Sequence, residues 1–140
     1  MRRRLAGLTW LEVLVTVAII GILLAMLLPR YTGNVEHARA NEAFGNLKLI
    51  LAGQRVYRLK TGYFLPRTGT ADVNTINQSL RLKLEQKNFN YTVAAADNST
   101  FTARATRSAG APAPYTNSAY AVSQDGTITP EGGGFTPPND

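Results

Sequence analysis

Between Leu8 and Leu28 the chain carries one charged side chain, Glu12, in an otherwise apolar or small-residue run. A helix rises about 1.5 Å per residue, so this run reaches about 31 Å, enough to cross a bilayer core of about 30 Å. A carboxylate inside such a segment costs about 2.5–3.5 kcal/mol on insertion scales and therefore calls for a partner. The run itself contains no basic residue. A cut after Gly7 would create one: the new amine of Leu8, about one helical turn from Glu12 or beside the Glu12 of a staggered neighbouring copy.

The residues Arg2-Arg3-Arg4-Leu5-Ala6-Gly7, followed by Leu8-Thr9-Trp10-Leu11-Glu12-Val13, resemble the prepilin signal of the type IV filament superfamily, which includes pilins and secretion pseudopilins. The likeness extends at motif level through Gly21 and Pro29 to Tyr31. It implies that a membrane peptidase cuts after Gly7 and methylates Leu8, which stands where the family usually has phenylalanine. It also implies that the apolar helix stays in the mature protein as its polymerisation handle, with Glu12 as the assembly residue. Gly21 and Pro29 would soften that helix, since glycine weakens a helix by about 1 kcal/mol and proline removes a backbone bond. An ordinary secretory signal has an apolar stretch of about 7–15 residues and a small-residue cleavage site. A plain membrane anchor would explain the length but not Glu12.

Three arginines precede the span and Arg30 alone follows closely, so the positive-inside tendency keeps the amino terminus cytoplasmic and exports residues 31–140. Of the 15 lysines and arginines, the leader holds three, leaving 12 against 9 acidic residues and a mature excess of +3. Arg81, Lys83, Lys87, Arg104 and Arg107 are scattered and read as solvated surface; DNA binding, as in DNA uptake, is a minor alternative. About 110 exported residues suffice for one small domain. The organisation expected is a leader at 1–7, a transmembrane and polymerisation helix at 8–29, and a head at 30–140 that includes the rest of the helix. Cysteine is absent. Many pilins staple a carboxy-terminal loop with a disulfide; here strand pairing, an ion, or loose packing must serve.

Beyond Pro29, Ala40, Ala43, Phe44, Leu47, Ile50, Leu51 and Tyr57 share one helical face, with Glu36, Arg39, Glu42 and Asn46 largely off it. The helix should end near Thr61-Gly62, followed by loop to about Thr75; Ile76 to Leu84 has room for a short helical or extended piece, but neither period is clean and the segment stays unassigned. Alternation then marks strands containing Phe89, Tyr91 and Val93, and Phe101, Ala103 and Ala105, around an Asp97-Asn98-Ser99 turn. Tyr120 and Val122 give a third strand, and Gln124-Asp125-Gly126 turns into a fourth at Thr127-Ile128-Thr129. The fold expected is α+β and similar to that of type IV pilins. A long amino-terminal helix, half transmembrane and half amphipathic, packs on a small antiparallel sheet of about four strands.

Little else in the chain points to chemistry. His37 is the only histidine and sits on the polar side of the helix without catalytic context. Asp125 and Glu131 are weak calcium-loop candidates, with an ordinary hairpin turn as the simpler account. Neither a phosphate cradle nor a carboxylate pair stands out, so the reading is a structural subunit rather than an enzyme, needing no cofactor.

The resemblance implies a homo-oligomeric helical filament, processed by a prepilin peptidase and methyltransferase and raised by an inner-membrane assembly platform. The chain would sit in the inner membrane before assembly and in a periplasmic or surface filament afterwards. The preferred reading is a pilus subunit for surface attachment, twitching motility or DNA uptake. It rests on the lack of the Pro-Trp-Gly-type calcium-loop signature of major pseudopilins. A type II secretion pseudopilin is the alternative, and a non-polymerising membrane-anchored binding protein a second. Intact mass and amino-terminal sequencing of the membrane-derived protein should find a chain that starts at methylated Leu8. A chain still starting at Met1 in a host with active peptidase would leave the anchor reading in its place.

Overall fold

The computed structural model describes residues 9–95 and 97–135, and residues 28–30 by their backbone alone. The chain divides after Val35 into an amino-terminal unit and a compact unit that begins at Glu36. Helix α1, Trp10–Thr61, is helical at every residue, including Gly21 and Pro29. Proline removes one backbone donor, and the helix continues past it instead of ending and resuming.

In the second unit, five short strands form one antiparallel sheet. They are β1 (Gly69–Ala71), β2 (Phe89–Ala95), β3 (Thr102–Arg107), β4 (Ala119–Ser123) and β5 (Ile128–Pro130), each paired with its neighbours in sequence. The alternation expected for β2 and β3 is present: Phe89, Tyr91, Val93, Ala103 and Ala105 are buried and their alternates are exposed. In register, Ala105 lies between Tyr91 and Tyr120, and Ala103 between Val93 and Val122. Large side chains on β2 and β4 thus flank small ones on the central strand. Ala40, Ala43, Phe44, Leu47, Ile50 and Leu51 of α1 complete the core, with the Phe44 ring edge-on to Tyr120 at 4.7 Å. Tyr57, at the end of the same face, is only partly buried and meets Tyr63 instead.

Two elements differ from the expected loop, and the second also settles as helix part of the segment left unassigned from Ile76. Strand β1 falls inside the loop drawn from Gly62 to Thr75, making five strands where about four were expected; a three-residue strand is too short to show alternation. Helix α2, Val73–Leu80, starts in the same loop, where the Asp72 carboxylate caps it by accepting from the Thr75 amide at 3.0 Å. It closes at Arg81 in the left-handed region, φ 56°. Asn77 then clips the following segment, bonding both N–H and C=O of Leu84.

Glu36 is a further correction. It precedes Ala40 by four residues, so it shares an edge of the buried face rather than lying off it, and only 4% of its surface is exposed. Burial is possible because Arg107, placed on the surface by sequence reasoning, ends β3 within reach. Its Nε and Nη2 donate to the two Glu36 oxygens at 3.0 and 3.2 Å, its Nη1 donates to the Asn88 carbonyl, and Arg39 completes the pair. The guanidinium also sits 5.5 Å over the Phe89 ring. Gln54, fully buried, donates to the Leu65 carbonyl and accepts from its amide, holding the loop after α1.

Burial raises the Glu36 pKa, but the hydrogen bonds and charges of Arg107 and Arg39 outweigh it and leave the carboxyl below its ordinary value. A depressed folded pKa adds stability above the unfolded pKa of about 4.3, lost as pH falls through the folded value. Glu36→Gln or Arg107→Met should destabilise the protein by about 3 kcal/mol at pH 7, because each leaves half of a buried pair. In urea melts from pH 6 to 3, Glu36→Gln should lose less stability than the parent; parallel profiles would refute the linkage.

Candidate assembly surface and carboxy-terminal strap

From Trp10 to Leu27 every α1 side chain is exposed, and the most apolar 18-residue window has mean hydropathy 2.8 with none of it buried. A surface this apolar on all sides of a helix is suited to lipid or to other helices, not to water. Thr9 caps the helix. Its carbonyl accepts from the Glu12 and Val13 amides at 3.0 and 3.2 Å, and its hydroxyl oxygen accepts from the Glu12 amide at 3.3 Å. Thr9-x-x-Glu12 is thus a capping-box sequence, and the carboxylate sits in the first turn, where the helix dipole favours it. Among the described residues nothing pairs with the Glu12 carboxylate. Gly7 and Leu8, the expected processing site, lie outside the described residues. At Gly21, a Cβ would meet nothing within 4 Å, so that position is open on the helix surface.

The other sequence candidates lie in the sheet and go to different partners. In the β4–β5 turn, the Asp125 carboxylate accepts from the Ser123 hydroxyl at 2.6 Å and the Thr127 amide at 3.0 Å, which lowers its pKa. Glu131 instead takes a bidentate contact from Arg104, at 2.5 and 3.1 Å. Among the described residues no group of three metal-capable side chains forms. His37 is exposed, as expected from its position on the polar side.

The question left by the missing disulfide is answered by a strap, residues 131–135. Arg104 on β3 reaches Glu131 beyond β5, so the pair crosses β4 over Ala121, which lies opposite Arg104 and is buried although it faces away from the core. Beyond Glu131 the backbone runs close to the protein. Gly132 has φ 137°, and a Cβ there would stand 2.3 Å from the Asn117 carbonyl oxygen; one on Gly134 would stand 2.7 Å from the Tyr120 hydroxyl. The Ser118 hydroxyl donates to the Gly133 carbonyl at 2.7 Å, and the Phe135 amide donates to the Tyr120 hydroxyl at 3.0 Å. Phe135 stacks on Tyr115 at 5.1 Å and meets the His37 edge at 5.0 Å, tying the strap to α1. Among strand pairing, an ion and loose packing, the sequence alone left open what holds this stretch. The Gly132-Gly133-Gly134 run was the available sign of a close approach.

Among known proteins, the chain is 36% identical over 58 residues to type II secretion system core protein G of Pseudomonas aeruginosa strain PAO1. The matched region covers 41% of this chain and 41% of that protein, so the chain spans about two fifths of the relative's length. No protein-family model matches the chain, and no solved structure matches it significantly.

Gly132→Val should displace the strap and lower stability by about 1–3 kcal/mol, because it combines a positive φ with a backbone clash. Limited proteolysis should then release the carboxy-terminal segment well before the rest of the head is cut. A variant as resistant as the parent would show that the strap does not depend on this approach.

Proposed function

We propose that this chain, whose long amino-terminal helix and antiparallel sheet fit a type IV pilin-like fold, is a pseudopilin, a filament subunit of a type II secretion apparatus. The observation that carries this reading is an all-round exposed apolar helix with one carboxylate in its first turn, joined to similarity to a secretion core protein. That similarity supports the pseudopilin over the pilus subunit favoured by the sequence.

In the mechanism, a peptidase cut after Gly7 frees the amine of Leu8. The chain waits in the inner membrane with its amino terminus cytoplasmic and its head exported. On addition to the filament, the apolar helix moves from lipid into a bundle of like helices. Transfer between two apolar surroundings changes little hydrophobic free energy, so packing and electrostatics decide the outcome. The Glu12 carboxylate then gains the amine of an adjacent Leu8, which offsets about 2.5–3.5 kcal/mol of its cost in lipid and fixes the stagger between subunits.

Glu12→Ala should cut recovery of filaments in sheared fractions at least tenfold while the protein still accumulates, folded, in the membrane. Normal filaments from that variant would sink the mechanism. Deleting the chain should abolish secretion of folded exoproteins and leave surface attachment and twitching intact; the reverse result would restore the pilus reading.

A further inference from the structure

At the far end of the head from Glu36 along α1, a groove of about 590 Å³ is lined by Arg55, Arg58, Leu59, Gly62, Phe64 and Gln124. From its walls and charge we infer that it receives an acidic, apolar-tipped segment of another protein. The groove lies between the last turns of α1, the Gly62–Phe64 loop and the β4–β5 turn, where an Arg55 guanidinium nitrogen lies 3.5 Å from the ideal Cβ position on Gly126. Phe64 forms the floor, with Arg58 fixed 4.7 Å over its ring. Leu59 stands on the rim with 88% of its surface exposed.

Among the described residues, no carboxylate pairs with Arg55 or Arg58, and none lines the groove. Two guanidinium groups beside an exposed leucine and a side-chain amide donor match a carboxylate flanked by an apolar side chain. A second copy of this chain is a poorer occupant. Its described carboxylates are engaged at home by arginines, by Asn88 or by their own turns and cap. The exceptions are Glu12 in the apolar segment and Glu85, which lies between Lys83 and Lys87 in the sequence. Nucleic acid fits poorly as well. Single strands need open aromatic faces for stacking, and here Arg58 covers Phe64 and Arg67 lies 5.5 Å over Tyr63. The inference rests on the groove alone, not on the assembly reading.

The test is fluorescence anisotropy on the unassembled, detergent-solubilised full chain, with a labelled short peptide alternating glutamate and leucine as probe. Binding should weaken with added salt, fall roughly tenfold in Arg55→Gln, and fall several-fold in Leu59→Ala. Arg55 is exposed and lies outside the buried core, so its variant tests the groove without unfolding the head. Failure to bind the acidic peptide, equal binding of the lysine-leucine counterpart, or unchanged affinity in Arg55→Gln would overturn the proposal. So would a thymidine oligonucleotide displacing the peptide, which would make the site a nucleic-acid groove. Self-association that Arg55→Gln abolishes would assign the groove to a second copy and equally refute it.

Discussion

Everything in the head depends on one face of α1. The sheet has five strands of three to seven residues, and an isolated sheet this small cannot bury its own apolar side. Ala40, Ala43, Phe44, Leu47 and Ile50 supply the second layer, and the alanines of β3 between the tyrosines and valines of β2 and β4 give that layer its shape. Hydrophobic contact alone would leave the helix able to slide or roll on the sheet. Polar contacts remove that freedom: Glu36 to Arg107, Glu42 to Asn88, Asn46 to the Tyr91 hydroxyl, and Gln54 to Leu65. They occur at intervals from the start of the head to the loop after the helix, so register and rotation are set together.

The chain meets the problem of a carboxylate in apolar surroundings twice. At Glu36 it is answered within the chain by two arginines: burial alone would raise the carboxyl's pKa, and the hydrogen bonds and charges of Arg107 and Arg39 bring it below its ordinary value. At Glu12 no described side chain answers. The difference is one of geometry: Glu36 has a β-strand end beside it that carries a guanidinium, whereas Glu12 sits on a helix with no packed neighbour. That asymmetry underlies the proposed assembly, in which the partner of Glu12 comes from outside the described residues.

The periodic parts were legible in the sequence because periodicity reports burial directly. The stripe on α1, the alternation of β2 and β3, and the turn at Asp125 all follow from local spacing. What escaped was set by contacts between distant residues. Nothing near Glu36 announces Arg107, 71 positions away, and nothing near Gln54 announces the backbone of Leu65. Strand β1 is held by pairing with β2 rather than by any pattern of its own. Of the candidate site, Glu12 and its apolar helix were readable, while the strap was hidden because glycines announce a bend or a close approach without naming what is approached. Asp72 and Thr75, by contrast, spelled out the cap of α2 and could have been read.

The sheet order repeats the chain order without a crossover, so every strand bonds only to strands adjacent to it in sequence. No strand has to wait for a remote partner or be threaded between two already in place. Folding can therefore proceed by zipping from one hairpin to the next, a route with small loop-closure penalties and few opportunities for mispairing. For a head whose helix exposes greasy residues until the sheet covers them, the meander shortens the interval during which those residues are available to anything else.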